Sequence, residues 1–199
     1  MKIGMKMKPA AIIACLFVLA LNGAASAQTG PAAEQVRYDW NRDGHMDKAM
    51  LVESNEDESV SLHIHFGRPN GRFAPPIIAT NFAGSSPMIG DPAHIKLNAA
   101  NSIVVTSSHI GIGRSKYEAD TLVAFRGGQM KVVGYKIARW DAFDPEAATS
   151  CDVNFSTGRA VVLHTSQRRT RVVRHNLAPV PIRNWKMLPE LRGTCPAYD

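Results

Sequence analysis

Short apolar runs with a period of two residues, separated by turn residues, recur along most of this chain. No long stretch carries the three-to-four-residue period of an amphipathic helix. Residues 60–66 show the alternation most clearly, since their four apolar side chains would face a core while His63 and His65 would face the opposite side. The pattern predicts an all-β protein.

Turn residues divide the apolar runs into short segments. We predict strands over residues 48–53, 60–66, 77–79, 94–98, 102–109, 120–126, 129–139, 153–156, 159–165 and 169–176. Gly127-Gly128 predicts a tight hairpin between two of them. One helical turn is expected near residues 184–188. Strands at this spacing are typical of a compact antiparallel sandwich, or of a partial propeller-like domain.

The amino-terminal residues 1–27 have the pattern of a secretory signal, with a lysine-rich start, an apolar run and small residues at the end. Residues 28–34 are expected to form a flexible lead-in, and residues 35–199 a single all-β domain. A lipid anchor at Cys15 is the alternative. The apolar run is short for a membrane span. We therefore expect a periplasmic or secreted protein without a membrane span.

Charge argues against nucleic acid as a partner. The formal net charge of +6 falls to +3 when Lys2, Lys6 and Lys8 leave with the signal. The most basic stretch, residues 168–174, has no interleaved aromatic residues, and its alternation divides the arginines between two strand faces. We interpret it as a solvated hairpin, with an anionic envelope glycan as the expected partner of any binding there. The protein is expected to be a monomer.

Two cysteines, Cys151 and Cys195, lie outside the signal segment. An oxidising compartment favours a disulfide between them. The bond would join positions 44 residues apart, and the chain-entropy model gives a stabilisation on the order of 3–4 kcal/mol for such a loop. We therefore predict that this disulfide fastens the carboxyl-terminal segment.

Residues 39–47 combine oxygen-bearing side chains with a central glycine. The expected ligands of a cation are the side chains of Asp39, Asn41, Asp43 and Asp47, together with the carbonyl oxygen of His45. Calcium takes six to eight oxygen ligands, so this spacing predicts a structural calcium ion. An EF-hand would need glutamate at the twelfth position, which is methionine here. The alternative is a hairpin rich in Asx turns whose acids are solvated.

The loop and the segment after it resemble a known repeat. The pattern Asp-x-Asn-x-Asp-Gly-x-x-Asp, followed by a strand and then by Phe66-Gly67, Asn70-Gly71, Phe73 and Pro76, resembles one FG-GAP/VCBS-type repeat over residues 36–80. The resemblance implies bound calcium and one antiparallel blade of a β-propeller. The pattern occurs once, whereas a closed propeller needs at least four blades. Looser similarities in residues 125–134 and 150–158 resemble small secreted bacterial β-proteins.

Two groups of residues are candidates for chemistry. His63, His65 and His109 could supply three nitrogen ligands to zinc, although polar-face histidines are common on half-exposed strands. Asp141, Asp144 and Glu146 could act as an acid and base pair on a sugar, or form a solvated turn. The sequence favours an exported, non-catalytic, calcium-stabilised β-domain that acts as a binding or inhibitor-like module on a protein or an envelope glycan. The rival is an exported hydrolase of envelope glycans or cell-wall polymers.

Overall fold

The computed structural model describes residues 34–54, 58–85, 88, 90–186, 191 and 194–195. This part of the chain forms twelve strands and two short 3-10 helices, and it contains no α-helix. The prediction of an all-β, antiparallel protein is therefore confirmed. The signal predicted over residues 1–27 lies outside the described residues. No helix in the described part is long and apolar enough to cross a membrane.

The first sheet is a four-stranded antiparallel meander in which each strand pairs with the next one along the chain. Its strands are β1 (Gln35–Tyr38), β2 (Asp47–Glu53), β3 (Ser59–His65) and β4 (Ile77–Gly84). The side chains of β3 alternate as predicted. Val60, Leu62 and Ile64 are buried, whereas His63 and His65 are partly exposed.

The second sheet continues the meander over seven strands, and an eighth, short strand pairs with the central strand of the seven. Its strands are β5 (His94–Leu97), β6 (Ile103–His109), β7 (Ser115–Arg126), β8 (Gln129–Asp141), β9 (Thr149–Asn154), β10 (Arg159–His164), β11 (Arg169–Arg174) and β12 (Val180–Pro181). The predicted Gly127-Gly128 hairpin joins β7 to β8, and both glycines have positive φ. The 3-10 helices are Pro145–Ala147 and Ile182–Asn184.

One apolar core is shared by the two sheets. Leu62, Ile64 and Phe82 enter it from the first sheet, and Val123 and Val132 enter it from the second. Burial of each such side chain contributes about 1.5–3 kcal/mol. The chain therefore folds because two amphipathic sheets cover each other's apolar faces.

The carboxyl-terminal segment packs on this core. The Trp185 ring lies 5.5 Å from the ring of Tyr135, 6.3 Å from that of Phe155 and 6.4 Å from that of Phe82. Ten residues further along, the predicted disulfide is present between Cys151 and Cys195, with 5.7 Å between their Cα atoms. An aromatic cluster and a covalent bond therefore hold this segment.

Several boundaries differ from the sequence prediction. Strand β7 begins five residues earlier than expected, because its Ser115–Ala119 half pairs with the far end of the long strand β8. Strand β9 ends two residues before the predicted end, since Asn154 turns the chain by accepting the N–H groups of Ser156 and Thr157. The helical turn lies at Ile182–Asn184, ahead of the predicted position.

Glu34, the last residue of the predicted lead-in, joins the two sheets. Its backbone carbonyl accepts the N–H of Leu51 in β2. Its carboxylate accepts the N–H of Ile95 in β5 at 3.0 Å and lies 2.8 Å from the His94 ring. The first strand and the edge of the second sheet are therefore connected through one side chain.

Candidate functional site

Residues 39–47, which we call the Asp-rich loop, lead from β1 into β2 and are closed by their own carboxylates. Asp39 accepts the backbone N–H groups of Asp43 and Gly44 with its two oxygens, at 3.1 and 2.9 Å. Asp43 accepts the N–H of His45, and the Asn41 amide bridges to the second Asp43 oxygen. Gly44 has φ of +86°, a conformation that glycine adopts without strain. The backbone bond from His45, aided by Asn41, holds the pKa of Asp43 below its ordinary value.

Asp47 is fully buried, unlike Asp39 and Asp43. Its two oxygens accept the backbone N–H groups of Trp40 and Gly67, each at 2.9 Å. Burial raises the pKa of Asp47, and the negative charges of Asp43 and Asp39 add to this effect. The carboxylate therefore ties the start of the loop to the turn after β3.

Gly67 is required at this contact. A Cβ atom there would lie 2.6 Å from the backbone oxygen of Met46, which is closer than packed atoms approach. The Asp-rich loop therefore contacts the Phe66-Gly67 segment in two ways. Asp47 accepts the N–H of Gly67, and the absence of a side chain at Gly67 lets its backbone pack closely against Met46.

The predicted cation ligands offer the correct donor chemistry, since all of them are oxygens. In the described part of the chain, however, no three histidine, cysteine, aspartate or glutamate side chains form a group that could hold a metal ion. The carboxylates of Asp39 and Asp43 accept backbone N–H groups of their own turn, whereas Asp47 accepts those of Trp40 and Gly67. Each carboxylate oxygen uses one lone pair to accept an N–H group and has a second lone pair as well.

A cleft of about 360 Å³ adjoins the loop. It is lined by Tyr38, Trp40, Asn41, Arg42, Ala100, Asn101, Ser102, Ala124, Phe125 and Arg126. The first four come from β1 and the Asp-rich loop, whereas the others come from the second sheet and the turn between β5 and β6. We call this cleft the inter-sheet pocket.

Trp40 fixes the two walls of the inter-sheet pocket relative to each other. Its indole N–H donates to the carbonyl oxygen of Asn101 at 2.9 Å, across 61 positions of sequence. Its ring lies 6.4 Å from that of Tyr38, and its backbone N–H is the donor held by Asp47. Trp40 therefore links the Asp47 carboxylate to the opposite wall of the pocket.

The three candidate zinc histidines do not form one site. His63 and His65 lie on β3 of the first sheet, whereas His109 ends β6 of the second. The His109 ring stacks on Tyr117 with 5.9 Å between ring centroids, and its Nε2 atom lies 3.0 Å from the carbonyl oxygen of Ile112. Burial lowers the pKa of His63 and of His65.

Asp141 takes a structural part at the end of β8. It accepts the backbone N–H of Phe143 at 2.8 Å and pairs with the Arg114 guanidinium. The Phe143 N–H, helped by Arg114, holds the pKa of Asp141 below its ordinary value. Asp144 accepts the N–H of Ala147 with its backbone carbonyl, and Glu146 lies in the 3-10 helix. A general acid needs a raised pKa, so Asp141 is unsuited to that role.

The arginine-rich stretch forms the edge strand β11 and the turn before it. Arg169 and Arg171 stand opposite His164 and Val162 of β10, whereas Arg174 stands opposite Arg159. All four arginines of the stretch are exposed. The charge is divided between two faces, as the alternation predicts.

Sequence reasoning missed the inter-sheet pocket. Its walls are far apart in sequence, and no single motif contains residues of both walls. The one sequence feature that pointed to the pocket was the presence of two aromatic residues, Tyr38 and Trp40, at the start of the Asp-rich loop.

Comparison with protein-family models, with curated proteins and with solved structures finds no match for this chain.

Proposed function

We propose that this protein is an exported, non-catalytic β-domain that is stabilised by calcium and binds a saccharide of the cell envelope. The observation that carries the proposal is the inter-sheet pocket, because the Asp-rich loop and the second sheet build it together. The pattern over residues 36–80 and the four-stranded meander support one FG-GAP/VCBS-type unit in this domain.

The lining of the pocket suits a sugar. Tyr38 and Phe125 are partly buried and present ring surface, while Asn101 and Ser102 add polar groups. Ligand sites combine aromatic surface with a few fixed polar groups in this way. The bond from Trp40 to Asn101 holds the walls before a ligand arrives, which reduces the ordering cost of binding.

Asp39, Asn41, Asp43, Asp47 and the carbonyl of His45 would hold the calcium ion. A bound cation supplies positive charge that offsets the repulsion among the three carboxylates. At Asp47, burial raises the pKa most, and the charges of Asp43 and Asp39 raise it further. The ion would stabilise the loop, while the pocket residues contact the ligand.

Export rests on two features of the chain. Residues 1–27 have the pattern of a secretory signal. The Cys151–Cys195 disulfide is of the kind that persists in oxidising compartments. Both support a periplasmic or secreted location.

A pair of neighbouring alanines tests the pocket. Ala99 and Ala100 are both exposed in the turn before β6, but only Ala100 lines the pocket. In calorimetric titrations with purified envelope saccharides, Ala100→Trp should abolish binding and Ala99→Trp should retain it. Equal affinity of the two variants would contradict a ligand site in the pocket.

Calcium is tested by thermal unfolding in chelator and in millimolar calcium. A ligand that binds only the folded state adds about 2.7 kcal/mol at a hundredfold excess over its Kd. The melting temperature of the wild type should rise with calcium, and that of Asp39→Asn/Asp43→Asn should not. An unchanged wild-type melting temperature would contradict stabilisation by calcium.

The rival hydrolase predicts a different result. Release of new sugar ends from envelope polysaccharide by the wild type, and its loss in Asp141→Asn, would favour an enzyme. The proposed module should release none.

A further inference from the structure

The inter-sheet pocket is positively charged. Its charged lining residues are Arg42 and Arg126, and no aspartate or glutamate is among the residues that line it. Arg42 belongs to the Asp-rich loop, whereas Arg126 ends β7 of the second sheet. Each of the two walls of the pocket therefore contributes one guanidinium group.

Among the residues that the structure describes, neither arginine forms an ion pair. In the described part of the chain the ion pairs are His94–Glu34 and Arg114–Asp141, and neither involves Arg42 or Arg126. The carboxylates nearest in sequence to Arg42 accept backbone N–H groups of the loop instead. Arg126 donates from Nη1 to the carbonyl oxygen of Phe125 at 2.8 Å, which orients its guanidinium and leaves other N–H groups to donate.

The position of Arg42 is conformationally unfavourable for arginine. Arg42 has φ of +60° and Asn101, on the other wall, has φ of +57°. Asparagine tolerates this left-handed conformation, whereas most other side chains are strained by it. Strained backbone is concentrated at functional sites. The loop thus holds an arginine where asparagine or glycine would be more stable.

We propose that the saccharide bound in this pocket carries a carboxylate, as a uronic acid does, and that Arg42 and Arg126 hold that carboxylate. This inference rests on the proposed function. Guanidinium groups bind carboxylates through parallel, charge-assisted hydrogen bonds. The aromatic wall contacts the sugar ring, while the two arginines select charged sugars over neutral ones.

The experiment compares an oligogalacturonate with the same oligomer after methyl esterification, which removes the charge and keeps the ring. Calorimetry should give a Kd for the acid about tenfold or more below that of the ester, which corresponds to one charge-assisted hydrogen bond. The preference should fall as salt rises, because exposed charges are screened.

Two substitutions locate the effect. Arg42→Asn keeps a residue that accepts positive φ, and Arg126→Gln keeps a hydrogen-bonding side chain. Each should weaken binding of the acid about tenfold and leave the Kd of the ester within about twofold. Arg72→Gln is the matched control, since Arg72 is exposed, carries the same charge and does not line the pocket. Circular dichroism confirms that each variant is folded.

The possible outcomes separate the two proposals. Equal affinity for acid and ester, with Ala100→Trp still abolishing both, overturns the carboxylate and retains the saccharide site. A wild-type protein that binds neither oligomer nor any other envelope saccharide contradicts both proposals. An acid preference that Arg72→Gln reduces as much as Arg42→Asn does would assign the effect to net charge and overturn the role of the pair.

Discussion

The two ends of the described chain are fastened to the same core by opposite means. The loop between β1 and β2 is held by a buried carboxylate and by backbone N–H groups, with Asp47 at its centre. The carboxyl-terminal segment is held by ring packing around Trp185 and by the Cys151–Cys195 disulfide. One fastening is polar and depends on hydrogen bonds, whereas the other is apolar and covalent.

The difference separates stability from binding. The inter-sheet pocket adjoins the polar fastening, because Trp40 belongs to the loop and also lines the pocket. None of the residues that line the pocket belongs to the carboxyl-terminal segment. We therefore expect damage at the carboxyl end to lower stability alone, and damage at the loop to lower both stability and affinity.

The largest effect is expected from Trp185→Ala. Trp185 is buried against Phe82, Tyr135 and Phe155, and removing such a side chain costs about 3–5 kcal/mol. Urea unfolding measures the loss, and Trp140→Ala, at a partly exposed position of β8, should cost less. Below the unfolding transition, ligand affinity should be unchanged. A lower ligand affinity in folded Trp185→Ala would contradict the separation of stability from binding.

The disulfide should rank next. Its cysteines lie 44 positions apart, for which the chain-entropy model gives about 4 kcal/mol. Cys151→Ser/Cys195→Ser should therefore unfold at lower urea concentration, and ligand affinity measured on the folded fraction should equal that of the wild type. A double variant as stable as the wild type would show that the ring packing suffices.

Asp47→Asn should cost about 2 kcal/mol, because a buried amide can accept only one of the two N–H groups that the carboxylate accepts. Unlike the two previous changes, this one should also weaken ligand binding, since the Trp40 backbone loses its anchor. Glu53→Gln at the exposed end of β2 serves as a control for lost charge. An unchanged ligand affinity in Asp47→Asn would show that the loop does not influence binding in the pocket.

The smallest effect concerns pH. Burial, aided by the charge of His65, lowers the pKa of His63 in the folded state. The folded protein therefore binds fewer protons than the unfolded chain, and stability falls as pH drops through about 6.5 towards the folded pKa. Urea unfolding at pH 7.5 and 5.5 should show a smaller loss in His63→Gln. A larger loss of stability in His63→Gln than in the wild type would contradict the predicted direction of the pH dependence.

The fold was largely predictable where alternation is regular. The buried face of β3 follows from the alternation of Val60, Leu62 and Ile64, and Gly127-Gly128 marks a hairpin. Strand β1 was not predicted, because four residues with two apolar side chains carry too little pattern. The first half of β7 was missed because it contains few apolar residues and is a strand only through its pairing with β8.

The site was predictable only in its local part. The spacing of Asp39, Asn41 and Asp43 predicted a calcium-binding loop. Asp39 and Asn41 do close a tight turn by accepting the N–H of Asp43, while the calcium ion itself stays a prediction. The burial of Asp47 depends on Gly67, twenty positions away. The pocket depends on a bond between Trp40 and Asn101 across 61 positions. Sequence patterns report local periodicity, so contacts of this range lie beyond them.

The central claim is that a saccharide binds beside the Asp-rich loop, and Trp40 reports on it directly. The chain has three tryptophans, so nitrogen-labelled protein gives three indole N–H signals, which Trp40→Phe and Trp140→Phe assign. On titration with oligogalacturonate, the Trp40 signal should shift in a saturable manner while those of Trp140 and Trp185 stay in place. A stationary Trp40 signal under conditions where calorimetry detects binding would contradict the account.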